Sequence, residues 1–294
     1  MIKYSYKGGK EVIVVKKLIG WLVICLGVGV MAVGAIAQSS YTQPSQVGEV
    51  AKVVEETAHG SINWTEDYVE ASGSAVPPTT AVNPAQGKLL AKRGAILDLQ
   101  RNLLETIKGV RIDSQTLMEN FMVKSDIVRS EVEGWVKGVE VVREKWDGEI
   151  YTVWGRIYLK KVRKVVADTL GIQPKEVTPP PPKANYTGLV LDARDVPLIP
   201  ATTFRILDPN GKEVYSINHV DRERFMASGM AAYQTNINWA TGDPRVGTRP
   251  LVAKAIKTVS PNNVDVVISQ KEADAIRNNN YDFRPACRVI VVKR

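Results

Sequence analysis

Four consecutive prolines, Pro179–Pro182, divide this chain more sharply than any other feature. Proline holds φ at about −65° and has no N–H, so neither a helix nor a central strand can run through such a stretch. The run favours an extended polyproline II spacer rising roughly 3.1 Å per residue. Residues 174–186 therefore read as a linker between a domain at 61–173 and a C-terminal domain at 187–294. The competing reading is a rigid surface loop within one domain.

The N-terminus carries an address. Lys16-Lys17 precede an apolar run from Leu18 to Ile36, which closes on Ala35-Ile36-Ala37. A basic start, an apolar middle and an A-x-A end are the parts of a secretory signal peptide, here residues 1–37, with Gln38 as the first mature residue. An uncleaved anchor is the alternative, since Leu18 to Ala37 is about one spanning helix long. Ile24 stands before Cys25 where a lipidation signal needs a small residue, so Cys25 reads as part of the apolar run. Residues 38–60 are polar and read as a flexible arm. Cleavage would leave about 257 residues, enough for two domains of ordinary size. The formal charge of +8 falls to about +4 without the leader, which is no basic stripe for nucleic acid. The expected location is the periplasm or the outer membrane, with membrane contact only through partners or an uncleaved signal.

In the first domain, Ser61 to Gly73 reads as one strand. Ile62 and Trp64 alternate with polar residues, then Val69 and Ala71 take the opposite phase, which predicts a bulge near Glu66-Asp67. Asn83 and Pro84 are a cap and a first helical residue. Leu89, Ile96, Leu99, Leu103 and Ile107 follow at helical spacing, and Gly109 closes the helix. Ala91, Gly94 and Ala95 leave room for a close neighbour, and Arg101 and Glu105 are spaced for an ion pair. A second helical patch is expected around Ser114 to Asn120 or Ser125 to Val132. Asp147-Gly148 then predicts a two-residue hairpin turn between Val136–Trp146 and Glu149–Leu159, with Val142 opposite Val153. Lys160 to Leu170 reads as a basic helix ending at Gly171.

In the second domain, Thr187–Asp192 reads as a buried strand, and Asp208-Pro209-Asn210-Gly211 as a hairpin loop. Strands are expected at Val252–Val259, Val264–Ser269 and Arg288–Lys293. Lys271–Asn278 reads as a helix capped by Ser269. The fold class is α+β: a helix-on-antiparallel-sheet unit in the order β-α-α-β-β-α, then a mainly β domain with one or two helices.

Chemistry is sparse. His59 and His219 have no Cys, His or carboxylate at ligand spacing and read as surface residues, so no metal site is expected. No P-loop, G-x-S-x-G or H-E-x-x-H occurs. Gly242–Thr248 resembles a phosphate loop, but it lacks the lysine, and Pro244 removes an N–H donor; it reads as a turn. Asp192 and Asp195 around Arg194 read as a surface ion pair rather than a paired-carboxylate site. Cys287, alone after cleavage, reads as a small buried side chain at a strand start. Neither catalytic residues nor a cofactor site is expected.

A family resemblance covers roughly residues 60–170. It rests on the Trp64 strand with Glu70-Ala71-Ser72-Gly73, the helix Ala91 to Gly109, Ser125-Asp126-Ile127, Gly134-Trp135-Val136-Lys137-Gly138 read as a strand, and the Trp146-Asp147-Gly148 hairpin. This part resembles the LPP-20-like lipoprotein family and the related FlgT/FlgP flagellar envelope proteins. The resemblance implies a non-enzymatic scaffold or assembly protein of the bacterial envelope. Its partners would be envelope or flagellar basal-body proteins, or copies of itself. Trp135, Trp154 and Tyr158 are the candidate interface residues, since aromatics concentrate binding energy at interfaces. A peptidoglycan- or glycan-binding module is the alternative, and an enzyme with an unrecognised site a third.

Overall fold

The computed structural model describes residues 51–294. Residues 1–37, read as a leader and holding Cys25, Ala35 and Ala37, and residues 38–50 of the arm, which begin at Gln38, lie outside the described residues.

The first half opens with β1 (Val54–Glu56), β2 (Gly60–Asn63) and β3 (Tyr68–Ala75). Helices α1 (Pro84–Lys108), α2 (Met118–Lys124) and α3 (Asp126–Lys137) follow. Next come β4 (Glu140–Trp146), β5 (Tyr151–Tyr158) and α4 (Leu159–Thr169). The five strands form one antiparallel sheet in the order β1-β2-β3-β5-β4. Two strands thus stand where one was expected, and part of the arm is an edge strand. The phase switch between Ile62 and Val69 is a chain reversal, not a bulge. Asn63 Oδ1 accepts the Glu66 N–H at 2.8 Å, and Asp67 takes a φ of +66°. Ile62 and Val69 end up opposite each other, both buried.

Asn83 caps α1 by accepting the Gln86 N–H at 2.9 Å, with Pro84 at the first helical position. The helix buries Ala91, Ala95, Leu99, Leu103 and Ile107 against the sheet, so the small residues do mark a close approach. A Cβ on Gly73 would lie 2.0 Å from the Leu99 nitrogen, which shows how near β3 comes. Leu89 falls off this stripe and is 63% exposed. Arg101 pairs with Asp98 rather than Glu105, which pairs with Lys108. Gly134–Gly138, read as a strand, is the end of α3. Ser125 caps that helix, and Val128, Val132 and Val136 bury one stripe at four-residue spacing. The β4–β5 loop has four residues, because Asp147 Oδ1 takes the N–H groups of both Glu149 and Ile150. Glu144 therefore faces Val153, and Val142 sits at an irregularity in the ladder.

The second half contains β6 (Gly188–Asp192), β7 (Ile206–Leu207), β8 (Glu213–Tyr215), α5 (Arg222–Ser228), β9 (Ala232–Gln234) and α6 (Ile237–Gly242). It continues with β10 (Pro250–Lys254), β11 (Lys257–Thr258), β12 (Val266–Val267), α7 (Gln270–Arg277) and β13 (Val289–Val292). A fully parallel sheet, β10-β6-β13-β9, is its centre. Covered on both faces, β6 and β13 read as near-continuous apolar runs. Val190, Ile290 and Val292 pack with Ala240 of α6, while Leu189, Leu191 and Val291 join the main core. A small sheet, β11-β12-β7-β8, carries the expected 208–211 hairpin. Three α-helices occur here instead of one or two. The short α5 and α6 are set by Asp221 and Asn236 capping their first N–H groups, a local signal too brief for a periodic pattern. The molecule is a mixed α+β protein.

One buried cluster runs through both halves, and the described residues form a single compact unit. Thr203 donates its backbone N–H and its hydroxyl to the Ile112 carbonyl, both at 2.7 Å. Arg163 of α4, nearly buried, forks onto Asp67 and donates to the Met226 carbonyl in α5. The proline segment does not hold the halves apart. It lies along the second half, where Tyr281 donates to the Thr178 carbonyl at 3.0 Å and Arg249 to the Pro182 carbonyl at 2.7 Å.

Candidate functional site

Successive side chains on a strand point to opposite faces of the sheet. On β5, Tyr151, Val153 and Ile157 are buried beneath α1, so Thr152, Trp154, Arg156 and Tyr158 point outward. Their partners on β3 are Ser74, Ser72, Glu70 and Tyr68. On β4, Arg143 stands opposite Trp154 and Glu140 opposite Arg156. Apart from Tyr68, these outward residues are partly or fully exposed.

The face is organised by two arginines lying on aromatic rings. Arg143 sits 3.8 Å above the Trp154 centroid, and Arg156 4.1 Å from that of Tyr68. Arg156 also donates to Glu70, which raises its pKa and fixes its plane. Burial, the largest influence on Tyr68, pushes its phenol pKa up and keeps it a donor to Glu66 at 3.0 Å. Tyr158 meets Tyr68 edge-on at 6.5 Å and is itself 59% exposed. Contacts of this kind stabilise by about 0.5–1 kcal/mol each at exposed sites, so they stiffen the surface without closing it.

Of the expected interface residues, Trp154 and Tyr158 therefore share one face. Trp135 does not join them. It lies on α3, half-buried on the core, with Lys161 6.0 Å from its ring. Sequence reading missed Arg143, Arg156 and Tyr68. Alternation along β5 carries Arg156 onto the Trp154 face, whereas Arg143 depends on the loop register.

His59 is exposed, as expected, while Asp192, Asp195 and His219 have structural partners. Arg194 forks onto Asp192 at 2.7 and 2.8 Å, and Lys254 pairs with Asp195 at 2.8 Å. Cys287 is buried at the start of β13, where desolvation pushes its thiol up to about 11. His219 is half-buried rather than on the surface. Its Nδ1 accepts the Ser216 N–H at 3.2 Å, and the Ser216 hydroxyl donates to Glu213 at 2.7 Å. That order places the serine between histidine and carboxylate and spends it on capping the Ile217–His219 turn, so it is not a nucleophile–base–acid relay. Among the described residues, no group of three His, Cys, Asp or Glu side chains is placed to hold a metal ion, and no helix is long and apolar enough to cross a membrane.

No curated protein matches the chain. Residues 188–294, the half built on the parallel sheet, are similar to the family described as the second domain of Treponema pallidum Tp0624.

Proposed function

We propose that this chain is an exported, non-enzymatic scaffold or assembly protein of the bacterial cell envelope. It acts by docking the outer face of its five-stranded sheet against copies of itself or neighbouring envelope proteins, those of the flagellar basal body among them. The observation that carries this reading is the outer sheet face, left open by the described residues, on which Trp154 and Tyr158 stand in one row with Arg156 between them. Aromatic side chains backed by arginine are the residue types that concentrate energy at protein interfaces.

Sedimentation of the mature chain across a concentration series tests the proposal. Self-association, or co-sedimentation with basal bodies, that is weakened at least tenfold in Trp154→Ala/Tyr158→Ala supports it. A monomer at every concentration that is pulled down by isolated sacculi would turn the reading to the glycan module.

A further inference from the structure

A cleft of about 580 Å³ opens at the N-terminal ends of β9 and β13. One wall is the proline segment at Val177–Pro179, and the others come from α5, the turn after α6, and Ala286–Arg288. Three arginines line it: Arg224, Arg245 and Arg288. Arginines elsewhere meet carboxylates, as in Arg163 with Asp67, Arg205 with Asp265 and Arg277 with Asp208. No described residue forms an ion pair with any of the three in the cleft.

Arg245 is the centre of the arrangement. Its Nε donates to the Cys287 carbonyl at 2.9 Å, Nη1 to Ser228 at 2.8 Å and Nη2 to Gly229 at 2.6 Å. Neutral carbonyls fix its position, and no described carboxylate pairs with its guanidinium. Burial, the main influence on it, lowers its pKa, against a smaller opposing effect of Asp243. The one acid on the lining is Asp243, which already accepts from Gln234 Nε2 and the Arg245 N–H, both at 2.8 Å. The Cys287 thiol stays protonated near neutral pH and adds no negative charge. The cleft thus holds three cations against one anion.

A guanidinium presents parallel N–H donors that match carboxylate and phosphate oxygens, and an isolated buried charge is costly without such a partner. The volume falls within the range of small-ligand sites, about 300–1,000 Å³. From this cleft we infer a binding site for a small oxyanion, a phosphate or carboxylate group seated between Arg224 and Arg288 with Arg245 behind it. The inference stands apart from the docking face on the other half. It also differs from a phosphate loop, because side chains rather than backbone N–H groups do the holding.

Calorimetric titration of the full mature chain with inorganic phosphate, and separately with succinate, tests it at fixed ionic strength, so that screening does not vary. Saturable one-to-one binding of either anion is expected, and which one binds identifies the chemistry. Arg224→Ala and Arg288→Ala should each weaken it at least tenfold. Arg288→Lys, which keeps the charge but loses the fork, should fall between. Arg101→Ala, on exposed α1 surface, should leave it unchanged. Absence of saturable binding by both anions in the wild-type chain overturns the inference, as does binding that survives both alanine substitutions.

Discussion

His219 shows how a residue with no catalytic partner can still govern behaviour. Its Nδ1 is used as an acceptor, and Arg284 lies near it along with Lys175, Glu213 and Asp282. Desolvation, then Arg284, lowers its pKa below the ordinary 6.5. The folded chain therefore holds His219 neutral at pH values where the unfolded chain already binds a proton. Its contribution to stability is present in full above about pH 6.5 and is lost as the pH falls through the folded value. Urea unfolding at pH 7.5, 6.5 and 5.5 should show this decline, and His219→Gln should flatten it. An identical slope in the variant would assign the decline to other groups. Ser216 and Glu213, three residues apart, were present in the sequence, but only the Ile217–His219 turn folds them onto the ring.

The decisive element is α1. Its start was legible because Asn83 and Pro84 act locally, within one turn of the residues they cap. Its seating was half legible: small residues at Ala91 and Ala95 announced a close approach, but Gly73 beneath them belongs to another element. A side chain there would strike the α1 backbone, 2.0 Å from the Leu99 nitrogen and 2.3 Å from the Ala95 carbonyl. Gly73→Ala should therefore destabilise the protein by about 3 kcal/mol, because backbone rather than a flexible side chain must move. A urea midpoint within error of wild type would show that α1 can slide. The same reasoning explains α3. Gly134 and Gly138 look like strand punctuation, yet Val128, Val132 and Val136 fit one helical stripe once α1 and α2 supply surfaces to bury it.

Across the whole molecule, the halves behave as one body. Arg163 is a buried polar tie, reaching from α4 to the β2–β3 turn and to two carbonyls of α5. Arg163→Ala should cost about 2 kcal/mol, less than a fully buried pair because Asp67 is 43% exposed and can take up water. Scanning calorimetry should give one transition for wild type, with calorimetric and van't Hoff enthalpies equal. Two resolved transitions in wild type would show that the halves fold separately. What the sequence determined by itself is what nearest neighbours control: the α+β class, the α1 cap, the 208–211 hairpin, the Ser269-capped α7 and the apolar runs of β6 and β13. Tertiary structure alone decided what distant segments control. Strands starting at residues 188, 232, 250 and 289 became one parallel sheet, because hydrogen bonds between such strands carry no local signature. For the same reason it decided that Trp154 and Tyr158 share a face without Trp135, that the proline segment is laid down as a strap, and that three arginines far apart in the chain line one cleft.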